Sequence, residues 1–146
     1  PPRKIMTFDA PIGHAWGFNV LGRFVIADLE LSVLESLGGH QHGQVYFASE
    51  RHGIVFCGDS VINFKSLSEE RQKFNLLAKD LMTTVNVDSD RAEKERMMLL
   101  EMIRGWNEGH DHGGRGCLVC GGHGAVSRLV DDGLVIYGAV EKYRVK

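Results

Sequence analysis

Apolar and polar residues alternate over residues 24–37 with the two-residue period of a β-strand. In this segment Leu29, Leu31 and Val33 interleave with Asp28, Glu30 and Ser32. The alternation predicts one strand with a single solvated face. Residues 45–48 are a second short apolar run, and the polar residues 49–53 after it are typical of a hairpin connection.

Three later apolar runs predict further strands. Residues 54–57 are continuous and rich in β-formers, which indicates a strand buried on both faces. Residues 117–120 form a similar short run. One or two closing strands are expected after a turn at residues 132–133, the first over residues 134–137 and the second, where present, within residues 140–145.

Two segments between these strands have the signals of helices. Ser68 precedes two glutamates, which favours a helix start with an N-cap oxygen. Its buried stripe would consist of Phe74, Leu77, Ala78 and Leu81. A second helix is predicted from Asp90, capped with Glu93 as in a capping box, and ending near Gly105 and Gly109. Residues 108–116, with four glycines and two histidines, are predicted to form a loop.

The order of strands, two helices and strands predicts an α/β fold in which helices cover one face of a sheet. A chain of 146 residues is long enough for one domain with its own core. We therefore expect residues 1–146 to form a single domain, or the C-terminal half of a larger one. No internal repeat or linker is recognisable.

Composition excludes several classes of protein. The formal charge of −2 comes with no basic stripe, so no nucleic-acid partner is expected. No run approaches the roughly 18 apolar residues of a membrane span. Three cysteines do not form a disulfide framework and nothing resembles a signal peptide, which predicts a reducing, cytoplasmic setting. The start at Pro1, without a methionine, indicates a cut, an expression boundary or a missing upstream segment.

Three glycine-rich turns each carry a side chain that can bind a metal ion. His40 lies within the segment GGHQHG at residues 38–43, Asp59 follows the apolar run 54–57, and His123 follows the run that ends at Cys120. Asp59 and His123 both come after core-type strands, where open sheets place their ligand sites. Two imidazoles and a carboxylate suit zinc, iron or manganese. The alternative for each turn is a plain loop or cap residue, because isolated motifs often match by chance.

Taken in order, the three turns resemble the metallo-β-lactamase fold superfamily of metal-dependent hydrolases. The family has a Gly-His-Thr-type turn, a Phe-Thr-Gly-Asp segment, helices, and a strand ending in Pro-Gly-His-Gly. In this chain the corresponding segments are 39–43, 56–59 and 121–124. The resemblance covers residues 24–124 and implies the second half of an αβ/βα sandwich.

This resemblance implies roles for single residues. His40 would bind one metal ion, His123 would bind a second, and Asp59 would bridge the two as the catalytic carboxylate. Gln41, Cys57 and Gly121 depart from the family's Thr, Thr and Pro, all outside the ligand positions. The His-x-His-x-Asp-His segment of the family's first half does not occur in the sequence.

The expected function is therefore a metal-dependent hydrolase that uses metal-bound hydroxide on a small-molecule substrate. Up to two zinc ions, or iron or manganese, would be bound, with the site completed by a missing N-terminal half or a partner chain. The alternative is a non-catalytic half-domain that binds a partner or serves as a structural unit. This alternative leaves an apolar face open where the absent half would pack, which predicts homo-oligomerisation or aggregation.

Other histidines and cysteines leave further alternatives open. His14 and His42 are expected in surface loops, although His42 could replace a ligand. His110 and His112 belong to a glycine-rich loop, which we interpret as close to the substrate. The pair Cys117 and Cys120 permits a zinc or redox module. Buried, unreactive thiols are the simpler interpretation, because alternate residues of a strand point to opposite faces.

Overall fold

A computed structural model describes residues 7–73, 86–131 and 133–138. Eight strands form one sheet in which their spatial order follows the sequence. The strands are β1 Gly13–Ala15, β2 Phe18–Ile26, β3 Leu29–Glu35, β4 Val45–Ser49, β5 Ile54–Gly58, β6 Leu118–Gly121, β7 Ser127–Val130 and β8 Gly133–Ile136. A 3-10 turn spans Phe64–Ser66, and the helix α1 spans Ser89–Gly109.

Every neighbouring pair of strands is antiparallel except one. Strands β5 and β6 run parallel, with Val55 opposite Val119 and Phe56 opposite Cys120. A parallel pair needs a long crossover connection, and α1 lies within it. The sheet is therefore mixed and the described residues are mainly β, so the predicted layering of helices on a sheet holds only in this coarser form.

The hydrophobic core lies between α1 and one face of the sheet. The helix contributes Leu99, Met102, Ile103 and Trp106 to a cluster of buried side chains. From the sheet and its loops come Phe18, Val20, Leu34, Tyr46, Ala48, Val55, Cys57, Val61, Cys117, Val119 and Leu129. Packing of the four helix side chains against the strands fixes the axis of α1 across the sheet.

A second apolar band occupies the opposite face of the sheet. The rings of Phe24 and Phe47 meet edge to face with centroids 5.5 Å apart, and Phe47 is paired with Val33 and Phe56 across its two neighbouring strands. Phe56 is 37% exposed. The expectation that β5 is buried on both faces is therefore wrong, because this part of the second face is open.

The first predicted strand proves to be a hairpin. Residues 24–37 contain the end of β2, a turn at Ala27 with φ 54°, and the whole of β3. The turn has neither Gly nor Asn at its left-handed position, so its usual sequence signal is missing. Strands β1, β2 and β7 were not predicted. In β2 a register shift between Val20 and Gly22 interrupts the two-residue period.

Helix α1 differs from its prediction at both ends. Its N-cap is Asp88, whose carboxylate accepts a hydrogen bond from the Arg91 N–H at 2.9 Å, and not Asp90. Gly105 lies inside the helix and does not end it. A Cβ at Gly105 would lie 2.6 Å from the ring of Trp16, so the glycine allows that ring to pack directly on the helix. Gly109 is the last helical residue, as predicted.

Other predictions are confirmed or fall on residues outside the described part of the chain. Residues 69–73 are helical, and the Ser68 hydroxyl accepts from the Arg71 N–H at 3.4 Å, as the cap prediction requires. The apolar stripe predicted within residues 74–81, the turn residue Asp132 and the strand within residues 140–145 lie outside the described residues. In the part of the chain that is described, no helix combines the length and apolarity needed to cross a bilayer.

The methionines of α1 provide a matched test of the core. Met102 is fully buried, whereas Met97 on the same helix is 47% exposed. We expect Met102→Ala to lower the free energy of unfolding by about 2–5 kcal/mol, because it leaves a cavity. Met97→Ala should change it by no more than about 0.5 kcal/mol. Urea denaturation of both variants measures the difference, and equal losses would contradict the described packing of α1.

Candidate metal centre

Asp59 and His123 follow two neighbouring strands that run in the same direction. Because β5 and β6 are parallel, their carboxyl ends reach the same edge of the sheet. The Gly122 N–H donates to the Gly58 carbonyl at 2.8 Å, which joins the two turns. A Cβ at Gly122 would lie 2.3 Å from Asp59 Oδ1, so only glycine leaves room for the carboxylate there.

His40 reaches the same edge from the loop between β3 and β4. Strand β4 is antiparallel to β5, so the loop before β4 lies beside the turn after β5. The backbone of this loop is held at the N-terminal end of α1. The Asp88 N–H donates to the Gly39 carbonyl at 2.9 Å, and the Val87 N–H donates to the His40 carbonyl at 3.2 Å.

The structure brings the three sequence-predicted side chains together around one oxygen atom. His40 Nε2 lies 3.7 Å from Asp59 Oδ2, and His123 Nε2 lies 3.6 Å from the same oxygen. His40 is largely shielded, with 20% of its side chain exposed, whereas 56% of the His123 side chain is exposed. The group is therefore closed on the His40 side and open to solvent on the His123 side.

These spacings suit donors that share a cation. Two donors that each lie about 2.1 Å from a tetrahedral zinc ion are about 3.4 Å apart, close to both measured distances. His40 Nδ1 donates to Asn86 Oδ1 at 2.9 Å. This hydrogen bond selects the tautomer in which Nε2 carries the lone pair, the usual outer-shell support of a histidine ligand.

The arrangement is nevertheless incomplete as a metal site. Across residues 7–73, 86–131 and 133–138, no group of three or more His, Cys, Asp or Glu side chains could hold a metal ion as it stands. The two measured distances each join a histidine to Asp59, and three donors fall short of four-coordination. The residues present fit part of a metal centre and need further ligands.

The remaining histidines lie away from this group or at its exposed margin. His42 is exposed in the loop that carries His40. His14 lines a separate cavity of about 280 Å³ beside Trp106. The rings of His110 and His112 are 5.8 Å apart, and Gly53 lies against the His112 ring. That contact places His112 beside the β4–β5 hairpin, at the opposite edge of the sheet from Asp59.

The cysteines do not form a paired module. Cys117 lies in the core, whereas Cys120 is paired with Phe56 on the opposite face of the sheet. All three cysteines are free thiols. Burial is the main cause that raises the pKa of Cys57 to about 12 and that of Cys117 to about 11, and it also raises the pKa of Cys120. Neutral thiols are poor nucleophiles and poor metal ligands. The interpretation as buried core residues is therefore favoured for Cys57 and Cys117, whereas Cys120 is only partly buried.

Sequence reasoning missed two residues that support this group. Asn86 carries no motif, and its only signal is its position two residues before the cap of α1. Glu95 sits between Lys94 and Arg96, a pattern typical of a solvated helix face, yet it is completely buried. Neither role can be inferred without knowing which loop the start of α1 contacts.

Comparisons with protein-family models, with curated proteins and with solved structures find no match to this chain.

The raised pKa of Cys57 predicts a loss of stability in alkali. An unfolded thiol titrates near pH 8.5, whereas folded Cys57 keeps its proton up to about pH 12. The stabilisation is therefore present below about pH 8.5 and is lost as the pH rises toward 12. Between pH 9 and 10.5, the free energy of unfolding of the wild type should fall faster with pH than that of Cys57→Ala. The difference between the two slopes should be about 1.4 kcal/mol per pH unit. Denaturant titrations at several pH values measure this, and parallel profiles would contradict it.

Proposed function

We propose that this chain carries the metal-facing half of a metal-dependent hydrolase of the metallo-β-lactamase fold superfamily. The observation that supports it is the convergence of His40 and His123 on Asp59 Oδ2 at 3.7 and 3.6 Å. These residues are far apart in the sequence and come from three different turns. The family motifs place their ligands in these same three turns.

The architecture supports the same proposal. A sheet with a helix on one face and a partly open apolar band on the other is the shape expected for half of an αβ/βα sandwich. The band contains Phe24, Val33, Phe47 and Phe56. In this interpretation the other half supplies a second sheet that covers the band, together with the His-x-His-x-Asp-His ligands. That half would belong to the same polypeptide or to a partner chain.

Two of the three departures from the family motifs, at Gly121 and Cys57, have local explanations. A Cβ at Gly121, as in the family's proline, would lie 2.7 Å from the Val61 carbonyl oxygen. The Cys57 thiol donates weakly to the carbonyls of Val61 and Cys120 at 3.5 and 3.4 Å, where a threonine hydroxyl could also donate. Neither departure alters a ligand position.

Each side chain of the group has a distinct role in the proposed chemistry. His40, held as one tautomer by Asn86, and His123 would bind zinc, iron or manganese, with up to two ions in the completed site. Asp59 would act as the bridging catalytic carboxylate. A bound metal ion supplies hydroxide near neutral pH and polarises the scissile bond of the substrate. The exposed flank of His123 leaves a small-molecule substrate an approach from solvent.

A non-catalytic half-domain is the second candidate function. The observation that favours it is the apolar band on the second face, where Phe56 is 37% exposed. A band of this kind is typical of a surface that meets another protein chain. In this case the chain would pair with a partner or with itself, whether or not a metal ion is bound.

Zinc binding tests the proposed hydrolase. We expect the wild-type chain to bind Zn²⁺ only weakly at neutral pH, because its ligand set is incomplete. Asp59→Asn should weaken this binding at least a further tenfold, because the Asp59 carboxylate lies next to both histidines. His123→Gln should weaken it as well. Isothermal titration calorimetry measures the dissociation constants, and hydrolysis by the completed protein should stop after treatment with a chelator.

His42→Gln is the matched control for this experiment, because His42 is exposed in the same loop as His40. It should bind zinc as the wild type does. Equal zinc affinity in the wild type and Asp59→Asn would refute the proposed centre.

Self-association tests the role of the apolar band. We expect the isolated chain to form concentration-dependent oligomers and Phe56→Lys to shift them toward monomer, since a charge in the band disfavours its burial. Phe64→Lys is the control, because Phe64 is 53% exposed in the 3-10 turn outside the band. Analytical ultracentrifugation measures the association constants. If both variants associate as the wild type does, the band is not the contact surface.

A further inference from the structure

Helix α1 carries a carboxylate that is completely removed from solvent. Glu95 is 0% exposed, although its neighbours Lys94 and Arg96 are exposed. A buried carboxylate is costly unless hydrogen bonds and charges compensate for its lost hydration. The donors that surround Glu95 therefore indicate what the residue holds in place.

Three of these donors belong to the segment that leads to His40. Glu95 Oε1 accepts from the Ser36 hydroxyl at 2.5 Å and from the Leu37 N–H, and Oε2 accepts from the Gly39 N–H at 3.0 Å. The Ser36 hydroxyl also accepts from the Gly38 N–H at 2.9 Å. The backbone immediately before His40 is thus fastened to one side chain.

The fourth donor extends the same network to the turn that carries Asp59. The Tyr46 hydroxyl donates to Glu95 Oε1 at 3.2 Å and lies 2.8 Å from the hydroxyl of Ser60, the residue after Asp59. Burial raises the pKa of Tyr46, so its hydroxyl stays protonated at neutral pH. Arg96 reinforces this end, because its Nε donates to the Ser60 carbonyl at 3.3 Å.

We propose that Glu95 is a positioning residue that sets the spacing between His40 and Asp59 without touching a metal ion. One arm of its network fixes the His40 loop through Leu37 and Gly39, and the other fixes the Asp59 turn through Tyr46 and Ser60. The inference rests on the proposed function for its consequence, which is metal affinity. Its structural content, the fixed position of the His40 ring, can be measured without metal.

Replacing Glu95 with glutamine keeps the size of the side chain but removes its charge and one of its acceptor atoms. The side chain of Glu95→Gln has nearly the same volume but replaces one acceptor oxygen with an NH₂ donor. That group would face the Gly39 N–H or the donors at Oε1, and donors repel one another. The His40 loop should therefore loosen while the core around α1 stays packed.

The test compares Glu95→Gln with Glu93→Gln in the whole chain. Glu93 is exposed on the same helix, so its substitution removes the same charge without touching the network. In metal-free protein, NMR should show His40 as a single Nδ1–H tautomer in the wild type and Glu93→Gln, and as a mixture of tautomers in Glu95→Gln. The Gly39 amide should exchange at least tenfold faster in Glu95→Gln, and its zinc dissociation constant should rise at least tenfold.

Tyr46→Phe removes only the arm that leads to Asp59. It should weaken zinc binding while leaving the His40 tautomer unchanged. General destabilisation of the core would affect both the zinc affinity and the tautomer. If Glu95→Gln does not fold, Ser36→Ala removes one donor to Glu95 and should accelerate exchange of the Gly39 amide by a smaller factor.

The outcomes distinguish this inference from the proposed function. An unchanged His40 tautomer, Gly39 exchange rate and zinc affinity in folded Glu95→Gln would overturn the positioning role while zinc binding by the wild type still stands. The same unchanged tautomer and exchange rate in Ser36→Ala would overturn it where Glu95→Gln is unfolded. If the wild type binds no zinc but the tautomer shifts in Glu95→Gln, the proposed function fails and Glu95 still positions His40.

Discussion

Strands β5 and β6 lie side by side and point the same way, and this parallel pair is the constraint from which the candidate site follows. Antiparallel strands would have sent Asp59 and His123 to opposite edges of the sheet. The parallel register joins their turns through the hydrogen bond from Gly122 to Gly58. Because a parallel pair needs a crossover, it also requires a long segment such as α1 between the two strands.

That crossover helix does more than connect strands. Its apolar stripe, which includes Leu99 and Met102, forms the core against one face of the sheet. Its N-terminal half is polar where it meets the site, and Asp88, Glu95 and Arg96 there contact the loops that carry His40 and Asp59. The core packing that fixes the axis of α1 therefore also fixes the distance between two candidate ligands.

The two faces of the sheet differ in how they are covered. One face is closed by α1, and the buried thiols of Cys57 and Cys117 remain protonated within it. The other face has an apolar band around Phe47 that is partly open near Phe56. A catalytic half and a partner-binding half would share this design, because both need a second layer over the band.

Local signals allowed part of this to be predicted. The apolar runs at residues 45–48, 54–57 and 117–120 predicted strands close to β4, β5 and β6, because short apolar runs rich in β-formers and bounded by polar or glycine residues are typical of buried strands. The hairpin of β2 and β3 was missed since its turn at Ala27 has no glycine. Glu95 was missed because its charged neighbours are typical of a solvated surface, and a short-range pattern cannot show that a loop 56 residues away covers the helix.

The sequence by itself determined which residues could bind a metal and that each would lie in a glycine-rich turn after an apolar run. Composition and local periodicity suffice for this, because turn geometry and strand propensity depend on neighbouring residues. Only the tertiary structure decided that His40, Asp59 and His123 meet, and that Asn86 and Glu95 support them. Those contacts depend on the strand register and on the packing of α1, which are set by long-range burial of apolar surface and not by any local segment.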